Sequence, residues 1–452
     1  MVDYDLFAQA MGLDIGVSRR ENARLFELLS RRVPLVVHRF PSGAEHNGWV
    51  VPHDWRVQRA QIRHGGRTVF DGTCHPLAVA GYSSSFAGTI PKAELDAHVF
   101  HRKDFPDAYA FHSMYNYRPW QRHWGFCVPY AEYATWPDGD YEVRLETELA
   151  EGEMLVGEAF LPGESDRTVV FNAHTCHPRQ ANDDMAGVFA LVDLFERLSR
   201  RRRHWSYLFV FAPEHVGTVF YTASLSEERL RSIRLGVFAE MLGTAGPLVL
   251  QRSFHGDSLV DRVARHVLGA LEPDFGEGEF RSVVGNDETV WEAPGIEIPM
   301  ISLSRWPYPE YHTSRDSLDI IRRDRLDAAV DALEAMVDVL EEDRVVTRRF
   351  TGLVALSNPR YGLYVERPDP VVDKGLSPEE LRFGAMQDRL PRYFDGSRTI
   401  FDIAEEFDVD FSRLHDYLGR FEDKGLVALT RPSVLDRAPV PPRGAGRTDA
   451  FA

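Results

Sequence analysis

The chain has 452 residues, 44% of them apolar and 27% charged, which allows two or three domains and a large core of ordinary globular type. A formal net charge of -17 opposes nonspecific binding to nucleic acid or to an anionic membrane. Three cysteines (Cys74, Cys127, Cys176) give no disulfide framework, the acidic N-terminus has no signal-type apolar core, and no run approaches a ~20-residue membrane span, so a cytoplasmic protein is expected.

Residues 3–32 carry helical spacing and end at the basic pair Arg31-Arg32. From about 34 to 150 the texture is β-rich. Short apolar stretches such as Trp49-Val50-Val51 and Val69-Phe70 alternate with turn signals such as Gly65-Gly66 and Asp138-Gly139. Aromatics crowd between Tyr115 and Trp136, as a binding surface or as the packing of a small β core. From 151 to 345 strands alternate with helices. Strands are predicted at 168–173, 206–212, 235–239 and 298–303, and helices at 185–200, 257–270 and 324–341. That order predicts an α/β sandwich around a largely parallel sheet. Residues 346–375 lead out of it.

Residues 376–430 form a separate unit. Ser377 and Glu380 have the spacing of a capping box, two short amphipathic helices follow, and Leu426–Leu429 is strand-like. Helix, turn, helix, strand predicts a winged helix. Its second helix carries Arg413 and Arg420 but also Asp416, Glu422 and Asp423, so a protein contact or domain packing fits better than DNA. The tail, 431–452, is rich in Pro, Arg and Gly and is expected to be disordered.

The stretch that organises the chain is Arg167–Val188. An apolar strand, Val169-Val170-Phe171, runs into His174-Thr175-Cys176-His177-Pro178, then the acid pair Asp183-Asp184, then a helix. Strand, polar loop, helix places side chains at the carboxyl edge of a sheet. Two imidazoles and two carboxylates there suit a metal, and a solvated loop with a helix-capping Asp suits them too. Four further polar groups follow strand-like runs: Glu214-His215, Glu240, Asp287-Glu288 and Tyr311-His312-Thr313-Ser314. Together they would meet in one crevice.

In this order the motifs resemble the co-catalytic zinc aminopeptidases, the clan that also holds glutaminyl cyclases and glutamate carboxypeptidases. More closely, the chain resembles a bacterial aminopeptidase-like subfamily with a CHP-x-x-x-AND loop, a late YHTS-x-D motif, a β-rich (protease-associated-like) insert and a C-terminal winged helix. The resemblance implies a catalytic domain from 1–34 plus 151–350, an insert at 35–150 and a winged helix at 376–430. It implies one or two zinc ions, with Asp183 bridging or holding one, Asp184 setting its geometry, His174 and Glu240 completing one metal shell and His312 the other. Glu214 matches the general base for metal-activated water. Three positions depart from the pattern. His215 stands where a ligating Glu is usual, Glu240 where an Asp is usual, and Cys176 where an Asp normally orients the first His. His177 is therefore a ligand instead of, or alongside, His174. Cys176 reads as a small buried residue or as a thiolate ligand.

Zinc acidifies water and polarises a carbonyl, and a nearby carboxylate can move the proton. The expected substrate is a small peptide or aminoacyl amide, with Asp287 and Glu288 toward its amine and Arg305 or Arg315 toward a carboxylate. A non-hydrolytic binding or assembly protein on the same scaffold is the second reading. The insert or winged helix would then meet a protein partner or a second copy. A transcription regulator is the third, opposed by the acidic balance.

Overall fold

The computed structural model describes residues 1–366 and 375–432. Contacts divide them into two compact units, residues 1–261 with 274–331, and residues 262–273 with everything from 332 onward.

Unit 1 begins with helix α1 (Tyr4–Met11), capped by Asp3, which accepts the Leu6 N–H, and helix α2 (Asn22–Leu29). Strand β1 (Val36–Pro41) follows. Next come β2 (Asp54–His64), β3 (Arg67–Asp71), β4 (Phe86–Pro91) and β5 (Asp140–Ala150). Then β6 (Glu153–Leu161), β7 (Thr168–His174) and helix α3 (Gly187–Ser199). After them come β8 (Ser206–Ala212), helix α4 (Val216–Ser224), β9 (Ile233–Ala239), β10 (Val249–Gln251), β11 (Gly276–Gly278) and β12 (Met300–Ser304).

The main sheet has eight strands in the order β1-β6-β8-β7-β9-β12-β10-β11. Its centre, β8-β7-β9-β12, is parallel; β1 with β6, β6 with β8 and β10 with β12 are antiparallel, and β10 with β11 is parallel. Every residue of β7 and β8 is buried, as expected for strands covered on both faces. The mixed α/β architecture predicted from the apolar runs is therefore present. β7, β8, β9 and β12 each lie within two residues of their predicted ends. The parallel register sets His174 of β7 level with Ala212 of β8, so the loops carrying the acids and imidazoles leave one edge together.

The β-rich insert is built on an antiparallel sheet in the order β3-β2-β5-β4. Trp55, Ile62, Phe70, Phe126, Trp136, Tyr141 and Val143 pack together as its core. Much of the aromatic crowd thus serves packing. β1 differs from expectation, for it lies within the span predicted as insert yet pairs with β6 in the main sheet. Ala44, Trp49 and Val51 still pack with Met154, Val216 and Phe220, the sheet of the insert starts at Asp54, and its last strand β5 ends three residues before β6 begins.

Unit 2 contains β13 (Val345–Arg348), α5 (Pro378–Met386), β14 (Asp395–Thr399), α6 (Ile400–Phe407), α7 (Phe411–Asp423) and β15 (Val427–Thr430). Its sheet order is β14-β13-β15. The Ser377–Glu380 capping box forms, and Thr399 with Asp402 makes a second one on α6. β13 corrects the sequence reading, because a segment taken as an exit from the α/β domain is the central strand of this small sheet. Arg413 is engaged by Glu379 and lies over the Phe383 ring, and Arg420 donates to the Gly362 carbonyl. The predicted disordered tail lies outside the described residues from 433 on. Among the described residues no helix is long and apolar enough to cross a membrane.

Candidate metal centre

β7 delivers His174 to the sheet edge, and the following loop turns His177 and Asp183 back toward it. The loop is fixed through the Asp316 carboxylate, which accepts the backbone N–H of Asn182 at 2.6 Å and of Asp183 at 3.1 Å, and the Tyr308 hydroxyl at 2.7 Å. Asp184, joined to Asp183 by a cis peptide bond, accepts N–H groups from His174, Gly187 and Met241. It ties the ends of β7 and β9 to the start of α3. Burial pushes its carboxyl up to about 7.

Asp183 is the hub. Its Oδ1 lies 2.9 Å from His174 Nε2, and its Oδ2 lies 3.2 Å from both His177 Nδ1 and His312 Nε2. Burial raises this carboxyl, but attraction to His177, with His174 and His312 beside it, outweighs burial and holds it well below the usual range. These atoms are close without being aligned as hydrogen bonds. His174 Nδ1 and Nε2, His177 Nδ1 and Nε2, His312 Nε2 and Asp183 Oδ2 are buried without a hydrogen-bond partner. Buried polar groups left this way require an explanation. Ligands at zinc bond lengths of about 2.0–2.1 Å stand roughly 3.3 Å apart in a tetrahedron. The 3.2 Å separations fit that edge. His177, Asp183 and His312 form one group able to hold a cation, and His174, Cys176 and His177 form another.

Glu214 follows β8. Its Oε2 is 3.2 Å from His177 Nε2. Burial raises the carboxyl, but the surrounding imidazoles, His177 first, hold it below the usual carboxylate range, so it is ionised at neutral pH. The Tyr117 hydroxyl donates to Glu214 Oε2. Burial pushes the Tyr117 phenol well above its ordinary value, which keeps that proton on the tyrosine. Tyr117 belongs to a short turn of the insert, Met114–Tyr117. Sequence reasoning missed it, and its only signal was membership of the aromatic crowd. Phe111, also from the insert, meets His177 and His312 edge-on at 5.1 and 5.0 Å between ring centroids. The insert is laced to the His312 loop: Phe111 N–H donates to the His312 carbonyl, Ser314 N–H to the Tyr109 carbonyl, and Tyr109 N–H to Ser314 Oγ.

Other predicted residues are placed differently. Glu240 belongs to neither cation-holding group, because its oxygens accept from Ser302 Oγ at 2.8 Å and Asn286 Nδ2 at 3.0 Å. Burial, then Glu288 and Asp184 nearby, push its carboxyl well above the ordinary value. Asp287 does not face a crevice. It accepts the His215 N–H and the Thr218 hydroxyl, each at 2.5 Å, and holds the turn into α4. His215 sits in that turn with φ +54°, its Nδ1 3.4 Å from Asp287 and its Nε2 4.0 Å from Glu214, outside both cation-holding groups. Glu288 is fully buried and accepts from Gln251 Nε2 and the Asn286 N–H, so it has no surface to offer a substrate amine. Arg305 is buried and donates to the carbonyls of Leu242, Gly246 and Arg325, a clamp between loops rather than a carboxylate receptor. Arg315 pairs with Asp107 of the insert.

The fold is that of the zinc aminopeptidases. A zinc aminopeptidase from Bacillus subtilis superposes with a TM-score of 0.57 at 16% identity, covering 74% of this chain and 93% of its own. A "putative peptidase" from Clostridium acetobutylicum superposes with a TM-score of 0.78 at 24% identity, covering 94% of this chain and 96% of its own. In sequence, residues 8–343 match the model of a family described as a domain of unknown function, DUF4910, and the chain belongs to that family. A relative from Clostridium acetobutylicum is 27% identical over 344 residues, 75% of this chain and 78% of its own. It is named "putative polysaccharide biosynthesis protein with aminopeptidase-like domain".

Proposed function

We propose that this protein is a zinc-dependent hydrolase of the aminopeptidase type, cleaving a peptide or amide bond next to a free amine. The observation that carries the reading is the set of buried, partnerless imidazole nitrogens around Asp183, with the ionised Glu214 carboxylate beside them. His177, Asp183 and His312 would hold the ion. Bound zinc supplies Lewis acidity, which polarises a carbonyl and acidifies water.

The chain's own residues supply the rest. Glu214, ionised and within the crevice, accepts a proton at a carboxylate oxygen and passes it to the leaving amine. The Tyr117 hydroxyl holds Glu214 in place by donating to Oε2. Phe111 covers the imidazoles and limits water around them. Asp316 and Asp184 keep the Asp183 loop in position through backbone N–H groups. The name of the Clostridium relative points to polysaccharide biosynthesis, so a saccharide-linked amide joins the substrates to be tested.

A second reading, a binding protein on this scaffold, draws on Glu240 and His215 lying outside the cation-holding groups. The two part on one experiment. Zinc-loaded protein is assayed against aminoacyl amides, short peptides and N-acylated amino sugars, with Glu214→Gln as control. The hydrolase reading expects turnover that Glu214→Gln lowers by about 10²–10⁴-fold with zinc content unchanged. Zinc bound without turnover of any panel member favours the binding protein.

A further inference from the structure

The resemblance pairs His174 with Glu240, yet Glu240 is engaged by Asn286 and Ser302. His174 is left fully buried with neither ring nitrogen hydrogen-bonded. Its neighbour two residues on is Cys176, also fully buried, and His174, Cys176 and His177 bring their donor atoms within 4.8 Å of one another. Asp183 Oδ1 approaches the same imidazole at 2.9 Å, on the opposite oxygen from the one facing His177 and His312.

We propose a second, sulfur-bearing cation site in which His174 and the Cys176 thiolate bind a thiophilic divalent ion, closed by Asp183 Oδ1. Cys176 takes the place that Glu240 has left, and Asp183 joins this site to the His177–Asp183–His312 site through its two oxygens. Three observations converge on it. His174 is a buried imidazole that needs a partner. The donor atoms of His174 and Cys176 lie within 4.8 Å of one another, against a tetrahedral S–N edge of roughly 3.5 Å at zinc bond lengths of about 2.3 Å to sulfur and 2.0–2.1 Å to nitrogen. The Glu214 N–H donates to Cys176 Sγ at 3.3 Å, which fixes the sulfur beside the loop that follows β8. A thiolate in the donor set selects zinc, cadmium or cobalt over magnesium, calcium or manganese. The competing role for Cys176 is packing, since its other face meets Val17, Val51, Met154, Val216 and Phe220.

Cobalt(II) is the probe, added to the full chain in a Cys74→Ser background so that the exposed Cys74 thiol cannot contribute. The expected result is two equivalents of cobalt and a near-ultraviolet sulfur-to-cobalt charge-transfer band. Cys176→Ser then abolishes the band and binds one equivalent, while His312→Ala keeps the band. Cobalt binding with no such band in the Cys176-containing protein, or a band that survives Cys176→Ser, overturns the proposal. Because the wild-type spectrum alone decides the matter, a variant that fails to fold does not rescue it. The test is independent of hydrolysis. A band without turnover keeps this site and removes the catalytic reading, and turnover with one bandless ion does the reverse.

Discussion

Asp183 and Glu240 follow adjacent parallel strands, β7 and β9, and both are buried at the same edge of the sheet. One side of the crevice is built of imidazoles, and there the Asp183 carboxyl is held well below its ordinary value. The other is built of an amide, a hydroxyl and further carboxyls, and there Glu240 is pushed well above it. Burial works in the same direction on both, toward the neutral form. The charged neighbours decide: imidazoles pull Asp183 down, whereas Glu288 and Asp184 add to the burial of Glu240 and outweigh the Ser302 hydroxyl and His174. A strand-end acid is therefore not a metal ligand by position alone, and the contrast can be broken or sharpened by substitution.

Asp183→Asn has the largest expected effect. It removes the carboxylate on which His174, His177 and His312 converge, so zinc affinity should fall by more than about 100-fold and hydrolysis with it. Metal analysis after gel filtration measures the first and the amide panel the second. Retained zinc would show that Asp183 is not the hub. On the amide side, burial pushes the Glu288 carboxyl from 4.5 up to about 7. A folded pKa raised above the unfolded one gives stability that is full below pH 4.5 and lost as pH climbs through about 7. The loss is up to about 3 kcal/mol, at about 1.4 kcal/mol per pH unit. Glu288→Gln should flatten that slope, which urea midpoints at pH 5 and pH 8 would read directly.

Tyr117→Phe comes next. A hydrogen bond to a charged group contributes about 1.5–3 kcal/mol, or roughly 10–100-fold in rate if all of it acts on Glu214. Losing a donor to the ionised carboxylate also raises its pKa, so the acid limb of kcat/KM should move to higher pH, with zinc content constant. A smaller effect is expected of Glu240→Gln. A neutral carboxyl replaced by an isosteric amide should leave zinc content intact and stability within about 1 kcal/mol. Loss of one zinc equivalent in that variant would return Glu240 to the metal shell and dissolve the contrast.

Much of the architecture was legible because it rests on local pattern. The apolar runs of β7, β8, β9 and β12, the stripe on Arg323–Glu342 and the capping box at Ser377 all declare themselves within a few residues. The gathering of His174, His177, Asp183, Glu214 and His312 was legible too, because each follows a strand-like run and parallel strands share an edge. What was not legible were the partners supplied from distant segments. Nothing near Glu240 in the sequence announces Asn286 and Ser302 as its partners, and nothing near Arg305 announces the three carbonyls that take its guanidinium. Tyr117 lies 97 positions from Glu214, and no local signal separates it from the aromatics that fill the insert's core. β1 was misassigned because six extended residues carry no mark of the sheet they will join.

The backbone lacing between residues 109–111 and the loop from His312 to Ser314 bears on how this protein can be handled. Trimming the chain to a minimal α/β body would unzip the segment presenting His312 and strip Tyr117 and Phe111 away with it. Excision at the sequence-evident borders should yield a fragment that no longer organises its pocket. Engineering or crystallisation work should therefore keep the β-rich segment attached and treat it as one wall of the centre.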